Sequence, residues 1–180
     1  MIDAVTLACG NIDWTFRRLR PRFEGLSDDE FFWEPAPGCW SVRPAGLATV
    51  PGPPWDGWVQ EVAFPAPDPP PFTTIAWRFT HLVRLNAMYF DYAFGAATLE
   101  FADCPIPTSA ARGVALWAEG YRAFADALRD LSPSDLDRHY EPHWAQPRTV
   151  GDQISIFIAE NSHHGAEIAL LRDLYRSTGA

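Results

Sequence analysis

Four stretches of this chain carry apolar residues at three- and four-residue steps, the spacing that keeps side chains on one face of an α-helix. The first, residues 2–23, sets Ile2, Val5, Cys9, Ile12, Phe16, Leu19 and Phe23 on one seam, with Arg17, Arg18, Arg20 and Arg22 on the polar side. Pro21 predicts a kinked or frayed last turn. The second stretch follows Pro71, with Thr73 or Thr74 as N-cap, and runs to about Gly95 along Trp77, His81, Leu85, Met88 and Tyr92. The third spans Ser109 to Leu131, where Ala110, Val114, Trp117, Tyr121, Phe124 and Leu128 repeat the seam. The fourth opens at Thr149, with Asp152 three residues on, and continues to about Tyr175. Four long amphipathic helices with little strand signal predict an all-α fold, an antiparallel four-helix bundle. The long first connection frees its topology from a simple up-down-up-down order.

That connection is unusual. After a short capped turn at Ser27 and Glu30, residues 35–72 hold 11 of the 17 prolines and Trp40, Trp55 and Trp58. Proline removes backbone donors and fixes φ, so no long helix forms there. Trp58 to Phe64 is compatible with a short strand. Two readings stay open: a stiffened excursion whose tryptophans cap the bundle, or a lid that lines a pocket.

Composition narrows the class. A chain of 180 residues is most simply one domain, 1–180, with a real core. A net charge of −9 argues against binding a nucleic-acid backbone. All 14 basic residues are arginine, which points to codon usage rather than chemistry. Cys9, Cys39 and Cys104 are too few and too scattered for a disulfide framework or a zinc knuckle. With no signal segment and no apolar run long enough to span a bilayer, a cytoplasmic protein is expected, with no membrane partner.

The candidate chemistry lies on the last helix. Phe157, Glu160, His164, Ile168, Leu171 and Tyr175 share a face, which sets a carboxylate and an imidazole one turn apart in an apolar stripe. An unpaired carboxylate is costly to bury, so the pair needs a partner, and a divalent metal fits both groups. His81, on the apolar stripe of the second helix, is the natural third ligand. The plainer alternative is a buried His–Glu hydrogen bond with a second histidine near by. A di-iron carboxylate site needs a second Glu-x-x-His motif, which the second helix lacks. His163 is expected to point outward and pair with Glu167, whose register also turns it from the core. His139 and His143 read as surface loop residues.

Two segments, Thr74 to Leu82 and His163 to Tyr175, resemble the DinB-like superfamily, and Phe31 to Arg43 is similar as well. The resemblance covers most of the chain. It implies a four-helix bundle, often a homodimer, with a metal triad of one histidine from the second long helix and two ligands four residues apart on the last. Those positions are His81, Glu160 and His164. The glutamate in place of a histidine is similar to the mycothiol-dependent maleylpyruvate isomerases, although those usually carry a further C-terminal domain. The resemblance thus implies an enzyme with one divalent metal and a low-molecular-weight thiol as cosubstrate, a thiol S-transferase or thiol-dependent isomerase acting on a small electrophile. Two imidazoles and a carboxylate suit zinc first, with nickel or iron as other candidates. Trp33, Trp40 and Trp77, with Tyr92, are candidate pocket residues, joined by Trp55 and Trp58 on the excursion. Arg78 and Arg84 are candidate anion contacts. A metal-dependent hydrolase and a non-catalytic metal- or ligand-binding bundle are the alternatives.

Overall fold

The computed structural model describes residues 2–142 and 146–179. Its helices are α1 (Ala4–Phe23), α2 (Asp28–Phe32), α3 (Ile75–Phe94), α4 (Ala110–Arg129) and α5 (Val150–Thr178). Each long helix starts where an oxygen-bearing side chain accepts one of the orphan amides of the first turn: Asp3, Thr74, Ser109 and Thr149. The capping box at Ser27 and Glu30 forms as expected. Pro21 sits inside α1, in its last turn, and the helix ends two residues later at Phe23.

Cross-helix pairs set the directions. Asp13 meets Arg129 and Phe23 meets Trp117, so α1 and α4 are antiparallel. Phe79 lies beside Gly113 and Phe94 beside Phe124, so α3 and α4 are parallel. Arg78 meets Glu167 and Asn86 meets Asn161, so α3 and α5 are antiparallel. Leu19 packs on Gly165 and Arg22 pairs with Asp173, so α1 and α5 run the same way. The four long helices form a bundle of two up and two down in the order up, down, down, up. The first connection therefore leaves and re-enters at one end of the bundle, whereas residues 95–109 must travel its length.

The all-α expectation needs one addition. Within the first connection, β1 (Val42–Pro44), β2 (Pro54–Trp55) and β3 (Trp58–Gln60) make a small antiparallel sheet in the order β1-β3-β2. A second pair, β4 (His139–Tyr140) and β5 (Arg148–Thr149), precedes α5, so His139 is exposed at a strand rather than in a loop. His143 lies outside the described residues. Prolines shorten the first sheet, and a buried carboxylate supplies what the missing ladder does not. Glu61, fully buried, accepts from the amides of Ser41 and Thr49, the Thr49 hydroxyl and Arg43 Nε, at 2.7–3.1 Å. Gly52 packs so tightly over the Gln60 carbonyl that a Cβ would stand 1.8 Å from its oxygen, so only glycine fits. Both ends of the segment are clamped where Trp40 exchanges backbone bonds with Phe72 and Thr74.

The α5 face that meets the core is turned from the expected stripe. Asn161 and Arg172 are wholly buried, while Glu160, Leu171 and Tyr175 are half-buried at its edge. Asn161 accepts from Trp117 Nε1 on α4 and exchanges amide bonds with Asn86 on α3, which locks the register of three helices. Arg172 makes a two-pronged pair with buried Glu30 and donates to the carbonyls of Arg22 and Glu24, joining α5 to α2 and to the end of α1.

Candidate metal centre

His81 enters α3 in its second turn, and Glu160 and His164 stand one turn apart on antiparallel α5, at the end of the bundle that the excursion covers. Glu160 Oε2 lies 3.1 Å from His164 Nε2 and 3.8 Å from His81 Nε2. The three donor atoms all fall within 4.8 Å of one another, so the triad could hold a metal ion. Ligand atoms bound tetrahedrally at about 2.0–2.1 Å from zinc stand about 3.3 Å apart. The observed spacing needs only a small contraction, and the two-nitrogen, one-oxygen donor set suits zinc, nickel or iron(II). Trp77 stacks on the His81 ring at 5.1 Å, and the two imidazoles meet edge-on at 4.7 Å.

Electrostatics follow from one carboxylate facing two rings. Hydrogen bonding with His164, then with His81, holds Glu160 far below the ordinary carboxylate range. Burial is the main influence on His81 and keeps its ring neutral to lower pH than usual. Burial also works against a charged His164, but the bonds to Glu160 and Glu167 outweigh it and raise its pKa.

Glu167 is where the expectation fails. Its carboxylate turns inward: Oε2 lies 2.6 Å from His164 Nδ1 and 3.0 Å from Arg78 Nη1, while Oε1 keeps the expected pair with exposed His163 at 3.2 Å. With Nδ1–H donating to Glu167, His164 turns Nε2 toward Glu160 and His81, and Nε2 is the nitrogen whose lone pair a metal would take once its proton leaves. An outer carboxylate of this kind orients and strengthens a metal-binding histidine. His163, His164 and Glu167 form a second close group, but Arg78 beside Glu167 opposes a cation there. A carboxylate three residues after a candidate ligand was the signal available in the sequence, since i and i+3 are neighbours on a helix.

One member of the triad, His81, also lines a cavity. About 420 Å³ of mostly apolar space is lined by Trp40, Gln60, Phe64, Trp77, His81 and Phe101 among others. The excursion is therefore a pocket wall. Of the candidate pocket residues, Trp40 and Trp77 line it. Trp33 packs instead on Tyr175, Trp58 stacks on Phe32, and Trp55 is exposed. Tyr92 lies three turns down α3, donating to the Leu99 carbonyl and stacking on Tyr140, away from the cavity. Neither arginine is an exposed side chain. Arg78 braces Glu167, and Arg84 is fully buried behind the cavity wall.

A fold and site of this kind define a class, and comparison with known proteins agrees. The DinB superfamily model matches residues 11–168, and the chain belongs to the DinB superfamily. A crystal structure of a DinB-like protein from Bacillus cereus ATCC 10987 superposes with a TM-score of 0.61 at 17% sequence identity, over 93% of this chain and 87% of that one. That likeness supports the fold. No curated protein matches the sequence. Among the described residues, no helix is long and apolar enough to cross a membrane.

Proposed function

We propose that this chain is a metal-dependent enzyme that joins a low-molecular-weight thiol of the mycothiol type to a small electrophile, as an S-transferase or a thiol-dependent isomerase. One observation carries the reading: His81 is at once a member of the triad and part of the cavity wall. A structural metal site is closed, whereas this triad supplies three ligands beside a space that admits a further molecule. A divalent ion held by His81, Glu160 and His164 supplies a Lewis acid that favours the thiolate form of a bound thiol. The chain's own residues do the rest. Glu167 fixes the His164 tautomer, Arg78 anchors Glu167, Trp77 packs against His81, and the apolar wall excludes water from the reacting electrophile. Engaged in this way by His164 and Arg78, Glu167 does not serve as the general base that a hydrolase requires. Trp14 and Leu170, exposed along a groove between α1 and α5, would be covered in the expected homodimer.

Elemental analysis of protein purified without added metal, followed by mycothiol transfer to 1-chloro-2,4-dinitrobenzene with and without chelator, tests the proposal. The expected result is near one zinc, nickel or iron per chain, and transfer that a chelator abolishes and metal restores. No metal even after incubation with zinc or nickel overturns the metal reading. Bound metal without thiol transfer leaves the hydrolase or the non-catalytic bundle. Glu167→Gln is expected to weaken metal affinity roughly 10- to 100-fold while the triad stays in place, as loss of an outer partner does. Competition with a fluorescent zinc chelator measures it.

A further inference from the structure

Arg84 lies three residues after His81 on α3 and is 0% exposed. A guanidinium so deep normally has a carboxylate beside it, and Arg84 has none among the described residues. Its Nη1 donates to Gln60 Oε1 at 3.1 Å, and Nη2 reaches the Pro53 carbonyl at 3.5 Å, the limit of a hydrogen bond. The Nε–H has no partner at all. The neighbouring thiol, Cys104, is pushed up to about 11 by burial and so stays neutral, offering no counter-charge. Burial brings the guanidinium itself down to about 10, which still leaves it charged at neutral pH.

The groups around this cation belong to the cavity. Gln60 and Pro53, which accept its two bonds, and Phe101, whose ring centre lies 5.8 Å from its central carbon, all line the pocket that His81 also lines. Only neutral residues separate the charge from a largely apolar space. Nε and Nη2 form the side-on edge of a guanidinium, the edge that takes both oxygens of a carboxylate in parallel. Here that edge holds one long contact and one missing bond. We infer that Arg84 is the receptor for a carboxylate carried on an otherwise apolar substrate, taken on the Nε and Nη2 edge as the neutral wall at Pro53 gives way, while Gln60 keeps Nη1. This rests on the cavity being the substrate pocket of the proposed enzyme. It narrows the small electrophile to one with an apolar body and an anionic end, held by an arginine one helical turn from the metal ligand.

The test is binding of phenylacetate, with phenylacetamide as the neutral control, to the full chain as purified, to chelator-treated protein and to Arg84→Met. Calorimetry reads the affinity. The expected result is that phenylacetate outbinds its amide with and without metal, and that Arg84→Met weakens phenylacetate roughly 10- to 100-fold, the factor for losing a charge-assisted pair, while leaving the amide unchanged. Arg84→Met should also unfold at a temperature no lower than the parent, because an apolar side chain of similar length relieves an uncompensated charge. Arg84→Lys, which keeps the charge but loses the fork, should recover only part of the preference. If phenylacetate binds only with metal present and equally well in Arg84→Met, the carboxylate is a metal ligand and the inference is overturned, with the metal site intact. If neither metal nor Arg84 affects binding, or if Arg84→Met is strongly destabilised, Arg84 is a structural residue and the inference is again wrong.

Discussion

A His164→Ala variant is expected to purify without metal and to show no thiol transfer, although its helices remain. His164 is the hub of the centre: Nε2 lies 3.1 Å from Glu160, and Nδ1 is held at 2.6 Å by Glu167. Loss of an outer carboxylate typically lowers metal affinity 10–100-fold, so loss of the ligand it orients should reduce it roughly a hundredfold or more. The remaining pair, His81 and Glu160, gives two donors from different helices, too few to hold an ion against buffer. The fold should survive, since alanine is the best helix former and α5 is anchored elsewhere by Asn161 and Arg172. Metal content, transfer rate and far-UV circular dichroism, measured on one preparation, separate a missing ligand from an unfolded chain. An active, metal-free His164→Ala protein would sink the proposed chemistry.

The largest loss of stability is expected from Glu30→Ala. Glu30 is 4% exposed, and Arg172 is 2% exposed. Two bonds of 3.1 and 3.2 Å join them, and Arg176 and the Ser27 amide add two more at 3.2 and 3.0 Å. Removing the carboxylate strands a buried guanidinium, which costs about 3–5 kcal/mol. That is a large part of the 5–15 kcal/mol that typically separates folded from unfolded chains. Urea unfolding at neutral pH measures the difference. The effect should fade in acid. Burial favours the neutral form of Glu30, but Arg172, the Ser27 amide and Arg176 prevail and lower its pKa below the ordinary value of 4.5. Its contribution is therefore full above that value and is lost as pH falls through the lowered one. Parent and variant should converge at low pH.

Local pattern reached some parts of this molecule and not others. The seams from Val5 to Phe23 and from Ala110 to Leu128 placed the helices, because a bundle buries what a 3.6-residue period aligns. His81, Glu160 and His164 were legible for the same reason: a polar, metal-capable side chain on an amphipathic helix interrupts an apolar stripe. The Glu30–Arg172 pair spans 142 residues and obeys no local period, so the sequence offers no sign that the two meet. Glu61 was hidden differently. Its four donors come from a segment whose prolines erase strand and helix periodicity alike, and only the folded loop brings them to one carboxylate. Asn161 was overshadowed by Glu160, one residue and about 100° away. Helical period assigns a face to within about one residue, and here that residue separates the packed centre of α5 from its reactive edge.

The excursion and the triad are held mainly by different groups, although Trp77 and Arg84 of α3 bond to Glu61 and Gln60 of the excursion in turn. The pocket wall hangs on Glu61, within the first connection, whereas the triad rides on α3 and α5, whose register Asn86 and Asn161 hold. A Glu61 variant should therefore melt the wall first, as a local opening that leaves the bundle closed. The helices then act as a socket and the excursion as an exchangeable faceplate. New walls grafted between residues 41 and 73 would redraw what the pocket accepts without redesigning the candidate metal triad.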